Sequence, residues 1–529
     1  MRPPGDETIA DWLEQRARLT PDAEYCTYRG QALSCAELAR QVTQVAARLA
    51  AQGLRRGDRV ALMLATDPLH LVALLALARL GAVRVPVNVH LRGAPLAHLL
   101  AQLKPQWLVA DPEHRTVLEA GGPLPSVLWR GALLAGDDVT GTSLPPPPAA
   151  DDILALTLSS GTTGAPKGVR KSDRHLRAGA EAVLRLADAG PGDVFLFWEA
   201  LHHGAGVAVA LAALKGGFRL AMVERFSASR FWDDARAAGA THVHHLGSVI
   251  ATLMKQPPRP DDRDHGVRIA WGGGCPPTLW SAFAQRFGVE VREGYGLSEL
   301  LTFVTMNRDG PAGSIGKPLS HYELRLCDEL GEPVAPGVTG EITLRSRVPG
   351  LGFLGYADSP EADRACRRGD WFLTGDLATQ DTDGWLRYAG RRKDMLRRRG
   401  INISAWEVEQ VFAGHPDVEE VALIGVPGEL GDDELKLFVR PRQGRDVEPL
   451  ALVRWAESRL PYFQLPRYVS MVAEFPKTPT QRIQKKELPR HTHDAWDLES
   501  SGYHVARRAP SPASLTSPAP TITPGEPEP

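Results

Sequence analysis

Two rhythms of apolar and polar residues alternate along this chain. Short apolar, β-branched runs stand at 60–64, 83–87, 107–110, 153–158, 267–271 and 289–292, with another opening at Val194, and 241–245 returns to strand. Runs of this length bounded by turn residues read as buried strands. Between them lie helical patterns. Thr8 opens one, with Ile9, Trp12 and Leu13 on a single face and Pro21 beyond its end; others cover 38–49, 68–80, 91–103, 207–214 and 231–238. Strands alternating with helices predict an α/β fold with a parallel, doubly wound sheet. Two strands run directly into glycine turns, Gly272-Gly273-Gly274 and Glu293-Gly294-Tyr295-Gly296. Open α/β sheets gather ligands at the carboxyl ends of their strands, so these turns mark a candidate site.

After Gly313 the texture changes to short strands at 322–327, 340–344 and 385–388, separated by Gly/Pro turns. This predicts a distorted β-barrel subdomain. A dense basic turn covers 391–400, and a compact α+β pattern follows through 406–413, 418–426, 435–439 and 450–459. The expected organisation is a large N-terminal domain (1–392), a small α+β C-terminal domain (393–498) and a tail (499–529). The tail is rich in Pro, Ser and Thr and should be disordered, because it cannot bury enough apolar surface to offset its ordering entropy.

Composition narrows the class. With 529 residues, 43% of them hydrophobic, the chain can build more than one core. A net charge of −2 provides no field for nucleic acid or a membrane surface. The five cysteines are widely spaced and suggest neither a disulfide framework nor a metal site. The first residues lack an apolar signal core, and the most apolar stretch, 60–83, is broken by Asp67, His70 and Arg79. A cytoplasmic protein is expected.

The most informative stretch is Leu158-Ser159-Ser160-Gly161-Thr162-Thr163-Gly164-Ala165-Pro166-Lys167-Gly168. Hydroxyls, glycines and one lysine directly after a strand are the composition of a phosphate-cradling loop. The spacing is not that of a Walker A loop. It resembles the signature loop of the adenylate-forming superfamily, which includes acyl-CoA synthetases, luciferases and peptide-synthetase adenylation domains.

Other motifs follow in that family's order over roughly 8–490. Tyr295-Gly296-Leu297-Ser298-Glu299 resembles its Tyr-Gly-x-Thr-Glu. The resemblance implies an aromatic on adenine, a hydroxyl at the α-phosphate and a carboxylate, Glu299, on Mg2+; hard cations favour such oxygens. Thr374-Gly375-Asp376 resembles the motif whose carboxylate accepts from the ribose hydroxyls. Gly390-Arg391-Arg392-Lys393-Asp394 resembles the domain hinge, with Arg391 at ribose or phosphate and Lys393 as the pivot. The wording of 397–409 is similar to the crotonobetaine/carnitine-CoA ligase branch. Gly272, Gly273, Gly274, Glu293 and Gly294 fall beside the expected adenine. His203 falls on the family's aromatic-His position near the acyl pocket, or is a satisfied structural histidine. His244 and His245 fall on the pocket wall and form no metal site.

The implied reaction has two halves: ATP and a carboxylic acid give acyl-adenylate, and CoA then takes the acyl group as a thioester. The C-terminal domain would be the lid that rotates between them. Gly400 matches one glycine of the pair at the pantetheine tunnel, with Arg399 at the other. Arg397, Arg398, Arg399, Lys485 and Lys486 are either contacts for CoA phosphates or a solvated basic face.

One departure matters. Where relatives carry Gly-Lys-Ile in the lid, this chain reads Gln481-Arg482-Ile483. The family's lysine bridges the acyl carboxylate and nucleotide oxygens during adenylation, and Arg is not a neutral replacement for a flexible point charge. Three readings follow. Arg482 serves in its place; Lys485 or Lys486 swings in; or adenylation is lost and a partner adenylating ligase supplies the acyl-adenylate. A non-catalytic binder of acyl-AMP or CoA is the competing class.

Overall fold

The computed structural model describes residues 5–119, 124–135, 144–159, 167–398, 401–428, 433–477, 483–503 and 505, the side chains of Ala94 and Asn402 excepted. The loop residues Ser160, Gly161, Thr162, Thr163 and Gly164, together with Arg399, Gly400, Gln481, Arg482 and most of the expected tail, lie outside the described residues. The chain divides into two compact units. The first is Met1–Thr374 with Ala378–Tyr388, and the second is Gly375–Leu377 with Ala389–Pro529.

Local sequence explains the helices of the first unit. Thr8 and Asp11 form a reciprocal capping box at Ile9–Leu19. Asp67 caps Pro68–Leu80, proline takes the first turn where its missing N–H costs nothing, and Gly81 ends the helix at φ 70°. Ser172 caps Asp173–Ala187.

Two sheets organise this unit. In the six-stranded sheet the spatial order is Ser126–Trp129, Trp107–Ala110, Arg59–Met63, Val83–Pro86, Ile153–Ser159 and Lys167–Ser172. All its described pairings are parallel except the last, which is an antiparallel hairpin. In the nine-stranded sheet a parallel centre runs Glu290–Tyr295, Ile269–Gly273, His242–Leu246, Val194–Phe197, Arg219–Met222, Glu24–Tyr28. Its chain order reverses at Val194–Phe197. The next strand in sequence, Arg219–Met222, lies on one side and His242–Leu246 on the other. Such a switch point leaves a crevice outside the carboxyl ends of the two strands.

The expected barrel-like region is a five-stranded sheet of Tyr322–Cys327, Gly340–Ser346, Trp371–Gln380, Arg367–Arg368 and Leu386–Arg391. The second unit holds a two-stranded sheet, Met395–Arg398 with Ile401–Ser404. It also has a four-stranded sheet of Val418–Pro427, Asp433–Pro441, Tyr468–Met471 and Trp496–Asp497. Helices Ala405–Ala413 and Pro449–Glu457 share its core through Val408, Phe412, Leu452 and Val453. Among the described residues no helix is long and apolar enough to cross a membrane.

Buried histidines make the first unit sensitive to acid. His175 is tied at one ring nitrogen to Ser172 Oγ (2.9 Å) and at the other to the Gly352 carbonyl (2.9 Å). Burial, reinforced by the Lys171 charge, pushes its pKa down to about 3. The unfolded imidazole binds a proton near 6.5, so this contribution is complete above that pH and is lost as pH falls toward about 3. Replacing His175 by Gln should therefore cost stability at pH 7 but remove this share of the acid dependence. The gap between native and H175Q, read by urea unfolding, should shrink by about 2 kcal/mol from pH 6.5 to 5. An unchanged gap would contradict a neutral buried imidazole.

Candidate active site

The signature loop spans a β-hairpin. Ser159, buried at the end of its strand, pairs directly with Lys167 at the start of the next. The Lys167–Ser172 strand is also tied on its other side. Val169 bridges Tyr356, the Ala357 N–H donates to the Gly168 carbonyl (2.7 Å), and the Arg170 N–H donates to the Gly355 carbonyl (3.0 Å). Period-two alternation puts Lys167, Val169 and Lys171 on one face.

That face meets the second motif. Lys167 Nζ stands 5.1 Å from the centre of the Tyr356 ring, and the Tyr356 hydroxyl donates to Glu299 Oε1 at 2.9 Å. Burial first, then the Glu299 charge, raises the Tyr356 phenol, so it is a constant donor. Lys171, buried, donates through Nζ to the Leu300 carbonyl. Burial lowers its pKa to about 7, opposed by the Glu299 carboxylate. Ser298 Oγ donates to the Leu158 carbonyl (3.4 Å), linking the two motifs. The turn closes on itself through Val304 N–H to Tyr295 C=O (2.7 Å) and Leu297 N–H to Leu301 C=O (3.2 Å). Gly296 is obligatory there, because a Cβ would sit 1.9 Å from the Thr302 carbonyl oxygen. Tyr295 is half-buried, with its ring centre 6.3 Å from that of Tyr388.

The glycine run has a packing cause. A Cβ on Gly272 would lie 1.9 Å from the His245 carbonyl oxygen on the neighbouring strand, and Gly274 has φ +81°. Gly273 closes the strand. Glu293 supports this turn, accepting from the N–H groups of Gly274 and Cys275. Burial nevertheless raises its carboxyl to about 8. Glu293 thus shapes the turn from beneath, while a Cβ on Gly294 would strike the Phe303 ring.

At the switch point, His203 precedes helix Gly204–Gly216, and its ring centre lies 4.2 Å from that of His202. His244 Nδ1 lies 2.9 Å from Glu199 Oε1. His245 Nε2 meets the Arg292 carbonyl at 3.1 Å, and burial pushes that imidazole down to about 3.

In the second unit, Asp376 is buried and paired with Arg391 (Oδ1 to Nε, 2.8 Å), joining two residues predicted from separate motifs. Lys393 is exposed, 3.8 Å from Asp394 Oδ1. Lys485 is held by Glu409 at 2.7 Å. Arg398 is bound to Glu434 and to the carbonyls of Phe463 and Leu465. Arg397 and Lys486 are exposed.

Tyr356, Lys171 and Glu199 were not anticipated. The two strand lysines were visible in the sequence, but their shared face requires recognising 167–172 as a strand.

Glu299 suits a hard cation. Among the described residues its one hydrogen-bond donor is Tyr356, so carboxylate lone pairs are available for Mg2+. Replacing Tyr356 by Phe removes that donor without changing the ring. Since hydrogen bonds to charged groups contribute about 1.5–3 kcal/mol, Y356F should weaken Mg2+-dependent ATP binding by about ten- to a hundredfold. Calorimetric titration with and without Mg2+ reads this, and equal Mg2+ dependence in both proteins would contradict it.

Comparisons with known proteins identify the family. The model of the AMP-binding enzyme family matches residues 13–356, and that of the AMP-binding enzyme C-terminal domain matches 407–482. A crotonobetaine/carnitine–CoA ligase of Salmonella arizonae is 30% identical over 492 residues, covering 88% of this chain and 94% of the relative. ATP-bound MatB from Rhodopseudomonas palustris superposes with a TM-score of 0.81 at 26% identity, covering 91% of this chain and 98% of that one. The anthranilate CoA ligase AuaEII, solved with anthranoyl-AMP, gives 0.80 at 25% identity over 92% and 98% of the two chains. The chain belongs to the AMP-binding enzyme family of adenylate-forming acyl-CoA ligases.

Proposed function

We propose that this acid–thiol ligase makes a CoA thioester from a preformed acyl-adenylate, and that adenylation of the free acid is its impaired half-reaction. The observation that carries this reading is Arg482 at the position of the family's adenylating lysine. The other motif residues, Lys167, Ser298, Glu299, Asp376 and Arg391, are retained. A pure binder has no need of this set.

In adenylation, a carboxylate oxygen attacks the α-phosphorus, the bond to the bridging oxygen breaks, and pyrophosphate leaves. In thioester formation, the thiol sulfur attacks the acyl carbon, the thiol proton passes to solvent, and the carbon–oxygen bond to AMP breaks. Glu299 would hold Mg2+, which supplies charge neutralisation at the phosphate oxygens. Ser298 would donate to the α-phosphate. From the second unit, Asp376 would accept from the ribose hydroxyls, oriented by its pairing with Arg391. Lys393 would be the pivot and Gly400 would face the pantetheine.

Arginine keeps the charge of the lysine but brings a planar fork and more bulk. Misplacement by about an ångström at a reacting centre costs on the order of a hundredfold. The pairing of Lys485 with Glu409 argues against a substitute lysine from that position. A partner ligase would then supply the adenylate.

ATP–pyrophosphate exchange tests this over a panel of acids. The native protein should exchange slowly or not at all, and Arg482→Lys should raise exchange by about a hundredfold for the acid that fits. Native exchange as fast as that of the variant would establish a complete ligase and sink the half-reaction.

A further inference from the structure

The six-stranded sheet carries a group of side chains that the reaction above does not use. Strand Trp107–Ala110 ends at Asp111, and the short turn Pro112–His114 sets Glu113 and His114 directly beyond it. The His114 N–H closes this turn on the Asp111 carbonyl (3.0 Å). Ligand atoms of Asp111, Glu113 and His114 all lie within 4.8 Å of one another. Asp111 is held in place: Oδ2 accepts the Ala65 N–H (2.7 Å) and Oδ1 accepts from Arg130 Nη1 (2.9 Å). Each of these oxygens keeps a further lone pair. Arg130 is shared with Asp67, so the acid charge is only partly neutralised, and Glu113 adds to it. Two further guanidiniums have partners of their own: Arg92 has the carbonyls of Val89 and Leu91, and Arg115 has Glu119 and the Trp129 ring.

His114 indicates what completes the group. It is 5% exposed, and among the described residues its Nε2 has no hydrogen-bond partner. Glu113 Oε1 stands 3.8 Å from that nitrogen. This is too long for a hydrogen bond. It is close to the span between two ligands of one ion, since bonds of about 2.0–2.2 Å place neighbouring ligand atoms about 3–3.5 Å apart. A buried ring nitrogen without a partner is costly, and a bound ion recovers the loss. The Glu113 side chain is 73% exposed, so it can swing aside to admit the ion and close on it. One imidazole with two carboxylates is a mixed nitrogen and oxygen set. It suits Zn2+ and the neighbouring transition-metal dications, whereas Mg2+ and Ca2+ favour oxygen alone.

We propose that Asp111, Glu113 and His114 form a binding site for a divalent transition-metal ion of the Zn2+ type, with water completing its coordination. The ion clamps the turn Pro112–His114 to the end of its strand and, through Asp111, to Ala65. It is distinct from the Mg2+ assigned to Glu299 and takes no part in the chemical steps. The site stands whether or not adenylation is impaired.

The test uses the full chain, stripped of metal with EDTA, dialysed, and titrated with Zn2+ by calorimetry in excess Mg2+. Native protein should take up one equivalent of Zn2+ whose Kd is weakened at least tenfold by Glu113→Gln and by His114→Asn. Hydrogen exchange then locates the ion. Zn2+ should slow amide exchange across 111–119 tenfold or more in the native chain, and not in Glu113→Gln. Adventitious binding at other histidines would leave this segment unchanged. Urea unfolding in EDTA identifies a variant that fails to fold. Because Glu113 is exposed, Glu113→Gln keeps the test decisive if the buried His114 tolerates no substitution. Equal Zn2+ affinities in native protein and Glu113→Gln, or exchange across 111–119 that ignores Zn2+, would overturn the inference. Loss of Zn2+ uptake in excess Mg2+ would overturn it as well, since an oxygen-only site would then account for the binding.

Discussion

The strand Lys167–Ser172 is the constraint on which the candidate site depends. It is hydrogen-bonded on one side to Ile153–Ser159 and on the other to the segment 355–357. Neither pairing alone would fix the signature lysine. Together they bring Lys167 over the ring of Tyr356 and turn the Tyr356 hydroxyl toward Glu299. The hairpin is in register at Ser159 and Lys167, which fixes the two ends of the signature loop.

Charge is concentrated around this strand. Lys171 lies buried under the turn that carries Glu299, with the Leu300 carbonyl as its hydrogen-bond partner. An ammonium so placed is expensive to bury unless nearby oxygens repay part of the desolvation. At the sheet edge, Glu293 shows the reverse case, a carboxyl held by two backbone N–H groups yet raised by burial. Polar groups are thus sunk beneath the glycine turns rather than displayed on them. The turns themselves stay free of side chains because neighbouring carbonyls leave no space at Gly272 or Gly296.

Much of this was legible in the sequence, for identifiable reasons. The runs at 60–64 and 107–110 and the helix at 68–80 combine apolar patterning with explicit stops, and the chain folds accordingly. The hairpin strand 167–172 was not legible. Lys-Gly-Val-Arg-Lys-Ser carries only one large apolar residue, and its extended form comes from tertiary pairing. Tyr356 sits in a glycine-rich stretch with no motif, and Glu199 is a single acid among apolar neighbours; only the meeting of distant strands gives either a role. Asp376 and Arg391 both came from motifs, but their pairing was not legible. Lys485 was read as a possible stand-in for Arg482 because sequence order hides its partner Glu409.

The central claim is that this chain forms thioesters from acyl-adenylates. The most direct measurement supplies synthetic acyl-adenylates and CoA without ATP or pyrophosphate, and follows AMP and thioester together by chromatography and mass spectrometry. The account predicts release of AMP and thioester in a one-to-one ratio for at least one adenylate. AMP release without thioester, or no turnover of an adenylate shown by calorimetry to bind, would contradict it.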